Sequence, residues 1–383
     1  MKSIVHIDLD TFFVSCERLV NSSLNGKPLI IGGSIDRGVV SSCSYEARRF
    51  NVQSGMPMRY ATTLCPEAIV IKGDMELYSN KSKEVTEIIK EQAPVMEKAS
   101  IDEFYLDITG MDRFFGCADW STELADRVTR ESGLPISYGL SINKTVSKIA
   151  TGEGKPNGRK LVNGEFVKSF LNPLSVRKIP MVGAKTANSL HRVGIRKIQT
   201  LAEMPTRAVI ALIGERGKML SDKANGIDKT PVIEYRERKS ISTERTFSSD
   251  TIDMVQLKAL LSRMVERLCF DLRKSKRLTS IVTVKIRYTN FDTETKQRRI
   301  NYASMDDIIL PIVNDLFENL YNRRMRLRLV GVAFSGLIGG HYQIDLFSDT
   351  TEIVSLYQAI DRMKLRYGEK YIQRGTSFQN KRL

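Results

Sequence analysis

The stretch KASIDEFYLDITG, Lys98 to Gly110, sets two adjacent acids, Asp102 and Glu103, inside a run otherwise suited to a buried β-strand. Burying unpaired carboxylates costs several kcal/mol, so something must answer their charge. A Lys or Arg partner, solvent at a turn, or a metal ion would each serve. A chain that keeps such a pair in a rigid element is therefore constrained in what it can place nearby.

A second strand raises the same question. In SIVHIDLD the residues Val5, Ile7 and Leu9 form an apolar face, while His6, Asp8 and Asp10 share the other side. Asp8 lies too far along the chain from Asp102 for a local ion pair to explain either, but adjacent strands would bring them together. Three converging carboxylates without histidine or cysteine form a hard, oxygen-rich site that suits Mg²⁺ or Mn²⁺ rather than zinc. A pair of such ions suits in-line phosphoryl or nucleotidyl transfer. A lone Asp-Glu pair, in contrast, most often caps a hairpin in solvent.

With 383 residues the chain exceeds what one hydrophobic core organises, so two to four domains are expected. Its 59 Lys and Arg against 44 Asp and Glu leave a formal charge of +15, which favours a polyanionic partner, nucleic acid before membrane. The five cysteines are scattered and lack any C-x-x-C spacing, which points to reduced thiols and away from a zinc site. The N-terminal apolar stretch is too short for a signal peptide, and no apolar run approaches a membrane span. A cytoplasmic protein is expected.

Strands and helices alternate over the first 165 residues, which indicates an α/β or α+β domain. Helical spacing runs from about Leu77 to Val95, ASIDEFYLDI follows as one strand or a hairpin, and STELADRVTRESG reads as a helix opening near Ser121 and stopping at Gly133. From about Phe166 to Ile233 short helices broken by Gly and Pro take over. IPMVGAKTANSLHRVGIRKIQTLAEM reads helix, tight turn, helix, able to aim backbone N–H groups and Lys185 at a phosphate. VIEYRERKS reads as a charged linker. Beyond it, Lys285 and Arg287 alternate with Val284, Ile286 and Tyr288, and Arg326 and Arg328 with Leu327 and Leu329. Each strand thus carries a basic face suited to a phosphate backbone. YEARR offers Tyr45 and Arg48 to a triphosphate, and the loop GKPNG offers Lys155.

HIDLDTFFVSCE, SYEARRFNVQSGMP, SIDEFYLDITG, GLSINKTVSKIATGEGKPNG, IPMVGAKTANSL and RKSISTERTF follow one another in an order and spacing that resemble the Y-family translesion DNA polymerases, most closely the DinB type. The resemblance covers roughly residues 1 to 340. It implies an α+β multidomain, right-hand polymerase: a ferredoxin-like palm (1–10 and 77–166), small fingers (11–76), a helix-hairpin-helix thumb (167–233), a linker (234–242), an α/β little finger (243–342) and a tail (343–383). It implies template-directed, low-fidelity synthesis past damaged bases, without proofreading.

The same resemblance makes Asp8, the backbone carbonyl of Leu9, Asp102 and Glu103 ligands of two Mg²⁺ ions, which Mn²⁺ can replace, with Asp10 in support. Ser42, Tyr45, Arg48 and Lys155 would hold the incoming deoxynucleoside triphosphate. Phe13 falls on the steric-gate position that excludes a ribose 2′-hydroxyl, while Phe12 reads as core. Lys185, Lys285, Arg287, Arg326 and Arg328 would contact primer–template DNA. QIDLF, with Gln343, Leu346 and Phe347, resembles the sliding-clamp-binding motif of bacterial replication proteins. The implied protein is a monomer without membrane contact, at the nucleoid when at work.

One departure stands out: the thumb hairpin reads PMVG where the family has PGIG, so Met181 occupies a glycine position that favours positive φ. Two other classes fit fewer features. A catalytically silent DNA-binding scaffold would not need Asp8, Asp102 and Glu103. A nucleotidyl cyclase would use paired acids but has no duplex to grip.

Overall fold

Residues 2–111, 116–235, 237–340, 351–368 and 371–375 are described by a computed structural model of the chain. The fold divides into two compact units, Met1–Arg236 and Glu237–Leu383, and the division falls within the charged stretch that reads as a linker.

The first unit runs in chain order as β1 (Ile4–Leu9), α1 (Phe12–Val20), β2 (Leu29–Gly32), β3 (Val40–Cys43), α2 (Tyr45–Arg48), α3 (Met58–Leu64), β4 (Ile69–Lys72), α4 (Met75–Gln92), β5 (Val95–Lys98), β6 (Glu103–Asp107), α5 (Cys117–Ser132), β7 (Ile136–Ser141), α6 (Lys144–Gly154) and β8 (Arg159–Leu161). Five helices follow: α7 (Val167–Leu171), α8 (Ala184–Arg192), α9 (Ile198–Glu203), α10 (Thr206–Ile213) and α11 (Arg216–Ala224).

The central sheet has the order β5-β6-β1-β7-β8, so the strand carrying Asp8 lies at its middle, antiparallel to both neighbours. Val5, Ile7 and Leu9 pack into a core with Val85 and Ile89 of α4 and Leu124 and Val128 of α5. His6 turns to the opposite face and meets Thr151 of α6. The alternation legible in the sequence is thus the division between core and site. Helix α6 lies very close to β7: a Cβ at Gly139 would come within 2.3 Å of the Ser147 carbonyl oxygen. On its other side Val146, Ile149 and Ala150 of α6 join the core of α7–α11.

Several local expectations need correction. The helix expected from Leu77 to Val95 begins at Met75, where the Asp74 side chain accepts from the Glu76 and Leu77 N–H groups, and ends at Gln92; Val95 already belongs to β5. The helix expected to open near Ser121 begins at Cys117. Ser121 instead sits inside it and donates its hydroxyl to the Cys117 carbonyl at 2.7 Å, a bond available to serine within a helix. Gly133 does close that helix, at φ 73°. Met181 takes up the glycine-like conformation in the stretch PMVG, with φ 78°.

The second unit contains β9 (Ser240–Thr251), α12 (Met254–Lys274), β10 (Arg277–Tyr288), β11 (Thr293–Ala303), α13 (Asp306–Leu320), β12 (Leu327–Ser335), β13 (Ile338–Gly339) and α14 (Thr351–Tyr367). Its sheet has the order β11-β10-β12-β9, and its core is built from one sheet face together with α12 and α13. Val282, Val284, Ile286 and Tyr288 are fully buried there, so Lys285 and Arg287 stand on the opposite face. Helix α14 is held by Arg273, whose Nε and Nη2 donate to the two carboxylate oxygens of Asp361 at 2.7 and 3.0 Å while Nη1 donates to Asp306 at 2.9 Å. None of the described helices is long and apolar enough to cross a membrane.

Candidate active site

The acids that open the question sit in a hairpin. Strand β5 turns through Ala99–Asp102 into β6, and Glu103, first residue of β6, stands opposite Asp8 in the sheet register. The Leu9 N–H donates to the Asp102 carbonyl at 3.0 Å, which extends the pairing by one residue. Ser100 shapes the turn: its hydroxyl lies 2.5 Å from Asp102 Oδ1 and accepts from the Glu103 N–H at 3.0 Å.

Basic partners for these acids come from α6 and the loop after it. Lys148 donates to Glu103 Oε1 at 2.5 Å. Lys155 donates to Asp8 and stands 3.6 Å from Asp10 Oδ1. Asp8 and Glu103 therefore each have a basic partner, Asp102 is met by the Ser100 hydroxyl, and no group of three or more His, Cys, Asp or Glu side chains among the described residues is gathered at metal-binding geometry. Burial pushes the Asp8 carboxyl up to about 6; Lys155 counters that effect, and the charges of Glu103 and Asp102 add to it.

Asp10, in contrast, is built into the fold. It is 1% exposed, and its Oδ2 accepts from the Ser137 hydroxyl and the Asn157 N–H, each at 2.7 Å, while Oδ1 accepts from the Tyr45 hydroxyl at 3.3 Å. This makes it a bracket between β1, β7, α2 and the Lys155 loop. His6 is equally buried; its Nδ1 lies 2.9 Å from the Thr151 hydroxyl, and its Nε2 lies 3.9 Å from Glu103 with no hydrogen-bond partner. Burial, then the charges of Lys148, Lys155 and Lys144, push its pKa well below the usual histidine value, so the ring is neutral.

Asp8, Asp102, Lys155, Phe13, Ser42 and Arg48 line one cleft of about 140 Å³, with Leu9 at its wall. Phe13 is half-buried and stacks on Tyr78 with ring centroids 4.2 Å apart, while Phe12 is core. Tyr45 opens α2, capped by Ser44, and the Arg48 guanidinium lies over its ring at 4.9 Å. The remaining sequence-selected residues stand elsewhere. Lys185 is exposed on the first turn of α8. In the second unit Lys285 pairs with Glu244 at 2.8 Å, Arg287 donates to the Thr293 hydroxyl at 2.8 Å, and Arg328 lies over the Phe291 ring. Arg326 precedes β12 and is exposed. Gln343, Leu346 and Phe347 lie outside the described residues.

Sequence reasoning missed Lys148, which the motif NKTVSKIA carries one turn after Lys144, on the helix face turned to the sheet. It also passed over the exposed Lys296, Arg298 and Arg299 of β11, because their strand lacks a clean apolar alternation.

Comparison with known proteins fits this arrangement. Residues 7–152 match the model of the impB/mucB/samB family, and residues 238–346 match the model of that family's C-terminal domain. A protein of Dehalococcoides mccartyi strain CBDB1 named DNA polymerase IV is 36% identical over 385 aligned residues, spanning 100% of this chain and 99% of its own length. One of the same name from Halorhodospira halophila is 37% identical over 91% of this chain and 99% of its own. The solved structure of a Y-family DNA polymerase chimera of Dbh and Dpo4 superposes with a TM-score of 0.80 at 25% identity, over 88% of this chain and all of that one. The chain belongs to the Y-family DNA polymerases. The right-hand polymerase architecture accounts for a central sheet carrying Asp8 next to a helical module.

Proposed function

We infer that this chain is a template-directed DNA polymerase of low fidelity that extends a primer 3′-hydroxyl past damaged bases, and that the cleft at Asp8, Asp102 and Glu103 is where it does so. The register pair Asp8–Glu103 carries the assignment of the site, because it aligns two acids from separate strands at the edge of a cleft. The family works with divalent metal, and the donor set fits magnesium: three carboxylates and the Leu9 carbonyl supply only oxygen. The raised Asp8 carboxyl adds support, since burial first, and then the charges of Glu103 and Asp102, disfavour its ionised form where a bound cation would favour it. Two magnesium ions, or manganese in their place, would when bound activate the attacking hydroxyl and stabilise the leaving pyrophosphate.

The chain's own groups do the rest. Asp10 keeps β1 and the Lys155 loop in register. Lys155 neutralises Asp8 and is the cation that a triphosphate would take over, with Arg48 and Ser42 lining the same cleft and Tyr45 beneath the Arg48 guanidinium. Phe13 excludes the ribose 2′-hydroxyl by bulk and so restricts the substrate to deoxynucleotides. Lys185 and the basic sheet face with Lys285, Arg287, Arg326 and Arg328 grip the phosphate backbone of the primer–template. Gln343, Leu346 and Phe347 tether the monomer to the bacterial sliding clamp at the nucleoid, raising effective concentration at the primer end.

Primer extension with single deoxynucleotides and Mg²⁺ tests the site. Template-matched addition by the natural protein, abolished in Asp102→Ala, supports it; binding of primer–template without extension, even with Mn²⁺, would leave a silent DNA-binding protein. For the tether, unchanged clamp capture by the Leu346→Ala, Phe347→Ala double variant would refute it.

A further inference from the structure

Phe13 does not stand alone at the cleft. Tyr78, on the first turn of α4, lies against its ring at 4.2 Å and 12° from parallel. The Tyr78 hydroxyl donates to Glu17 Oε1 at 2.5 Å. Phe13 and Glu17 are four residues apart on α1, one helical turn, so a single helix holds Tyr78 at two points, by its face and by its hydroxyl. The edge of the ring is closed as well: a Cβ at Gly73 would lie 3.3 Å from Tyr78 Cε2 and 3.4 Å from its oxygen. Tyr78 is wholly buried. Phe12 and Ile31 share this core, so packing holds the face and edge of the ring while the Glu17 carboxylate holds its hydroxyl end.

We propose that Glu17, acting through Tyr78, is a positioning residue for sugar selection: it fixes the plane of the tyrosine and so the depth to which Phe13 projects into the cleft. The inference rests on reading Phe13 as the gate. Discrimination against one hydroxyl depends on the gate being unable to yield, and a half-buried phenylalanine on a nine-residue helix has room to yield unless something stands behind it. Here the backing is a buried ring whose far end is anchored to a carboxylate. An O–H donated to a carboxylate is among the shorter and stronger side-chain bonds, and it sets position as well as energy. Losing the carboxylate leaves the tyrosine hydroxyl buried without its acceptor, and the ring must shift to find another.

The test compares deoxynucleoside with ribonucleoside triphosphate incorporation by the full chain on one primer–template, as the ratio of kcat/KM values. Glu17→Ala and Tyr78→Phe are expected to lower that ratio by about 5-fold or more while deoxynucleotide kcat/KM stays within about 3-fold of the natural protein. Glu17→Gln keeps an acceptor oxygen and is expected to retain the ratio. The double variant Glu17→Ala, Tyr78→Phe should lose no more than the worse single variant, because both cut one linkage. Phe13→Val separates the two readings. If Phe13→Val collapses selectivity and the Glu17 and Tyr78 variants leave it intact, Phe13 is a gate that needs no backing and the proposal falls. If Phe13→Val leaves selectivity unchanged, the gate reading fails and takes the proposal with it. If Glu17→Ala and Tyr78→Phe lower incorporation of both sugars alike, their role is general packing and the proposal is likewise overturned.

Discussion

Lys148 of α6 donates to Glu103 of β6 at 2.5 Å, so the helix that covers the site face of the sheet also fixes the direction of one of its acids. Replacing the lysine with methionine keeps the aliphatic stem and removes the donor. Lys148→Met is expected to lower kcat for single-nucleotide addition about 10-fold and to leave the deoxynucleotide KM within about 2-fold, since the proposed role of Glu103 is to help hold the ion that activates the attacking hydroxyl, whereas Lys155 and Arg48 are the cations proposed for the triphosphate. Rapid-quench kinetics would read the split.

Asp10 is 1% exposed and accepts three hydrogen bonds. Asp10→Ala strands those donors in the interior and should destabilise the first unit by about 2 to 4 kcal/mol. A urea denaturation series would show the midpoint falling, with Asp10→Asn intermediate because its amide oxygen still accepts.

The pH behaviour of Asp8 has a definite sign. Its carboxyl holds a proton up to about 6 in the folded chain, against an ordinary value of 3.8. Between those values the folded state binds more protons than the unfolded state, so Asp8 adds stability as pH falls through about 6 and withdraws it as pH rises. The effect is bounded at about 3 kcal/mol. In chelator, Asp8→Asn should therefore melt higher than the natural protein at pH 7.5, and the difference should vanish near pH 4. The same variant should not extend a primer.

Lys144 and Glu97 form a buried pair at 2.7 Å, and Glu97 also accepts from the Ile233 N–H at 2.9 Å. Removing one partner leaves a buried charge, so Lys144→Met should cost about 3 to 5 kcal/mol, whereas Lys144→Met with Glu97→Leu should cost less than the single change. Thermal melts of the three chains would decide it.

The acidic faces of β1 and β6 were readable because strand alternation separates core from site residue by residue, as at Val5 and His6 or Ile7 and Asp8. The short ordered motifs brought Phe13, Ser42, Arg48 and Lys155 into one cleft, with Tyr45 outside its lining. Hidden from the sequence were partnerships made across the fold. Nothing near Glu103 in the chain announces Lys148, and nothing near Phe13 announces Tyr78. The lysines answering Asp8 and Glu103 come from α6 and its following loop, far along the chain from both acids. Met181 was a mismatch in the hairpin motif, yet the chain accepts φ 78° there in an exposed position, where surrounding turns outweigh a local cost of about 1 kcal/mol. Helix limits failed where the deciding signals were side-chain bonds, as at Asp74 and Ser121.

The start of α6, with its cap Asn143, also holds the chain that leaves α11. The Asn143 amide donates to the Gly226 carbonyl at 2.8 Å, the Thr145 hydroxyl to Asp228 at 2.7 Å, and Glu97 receives Ile233. In mechanical terms, the strap that runs from Gly226 to Ile233 is sewn to the start of α6 and to β5 before it reaches the charged stretch. Tension on that stretch, such as drag along a filament under synthesis, would first load Glu97 and Lys144, the pair that ties it to β5 and α6.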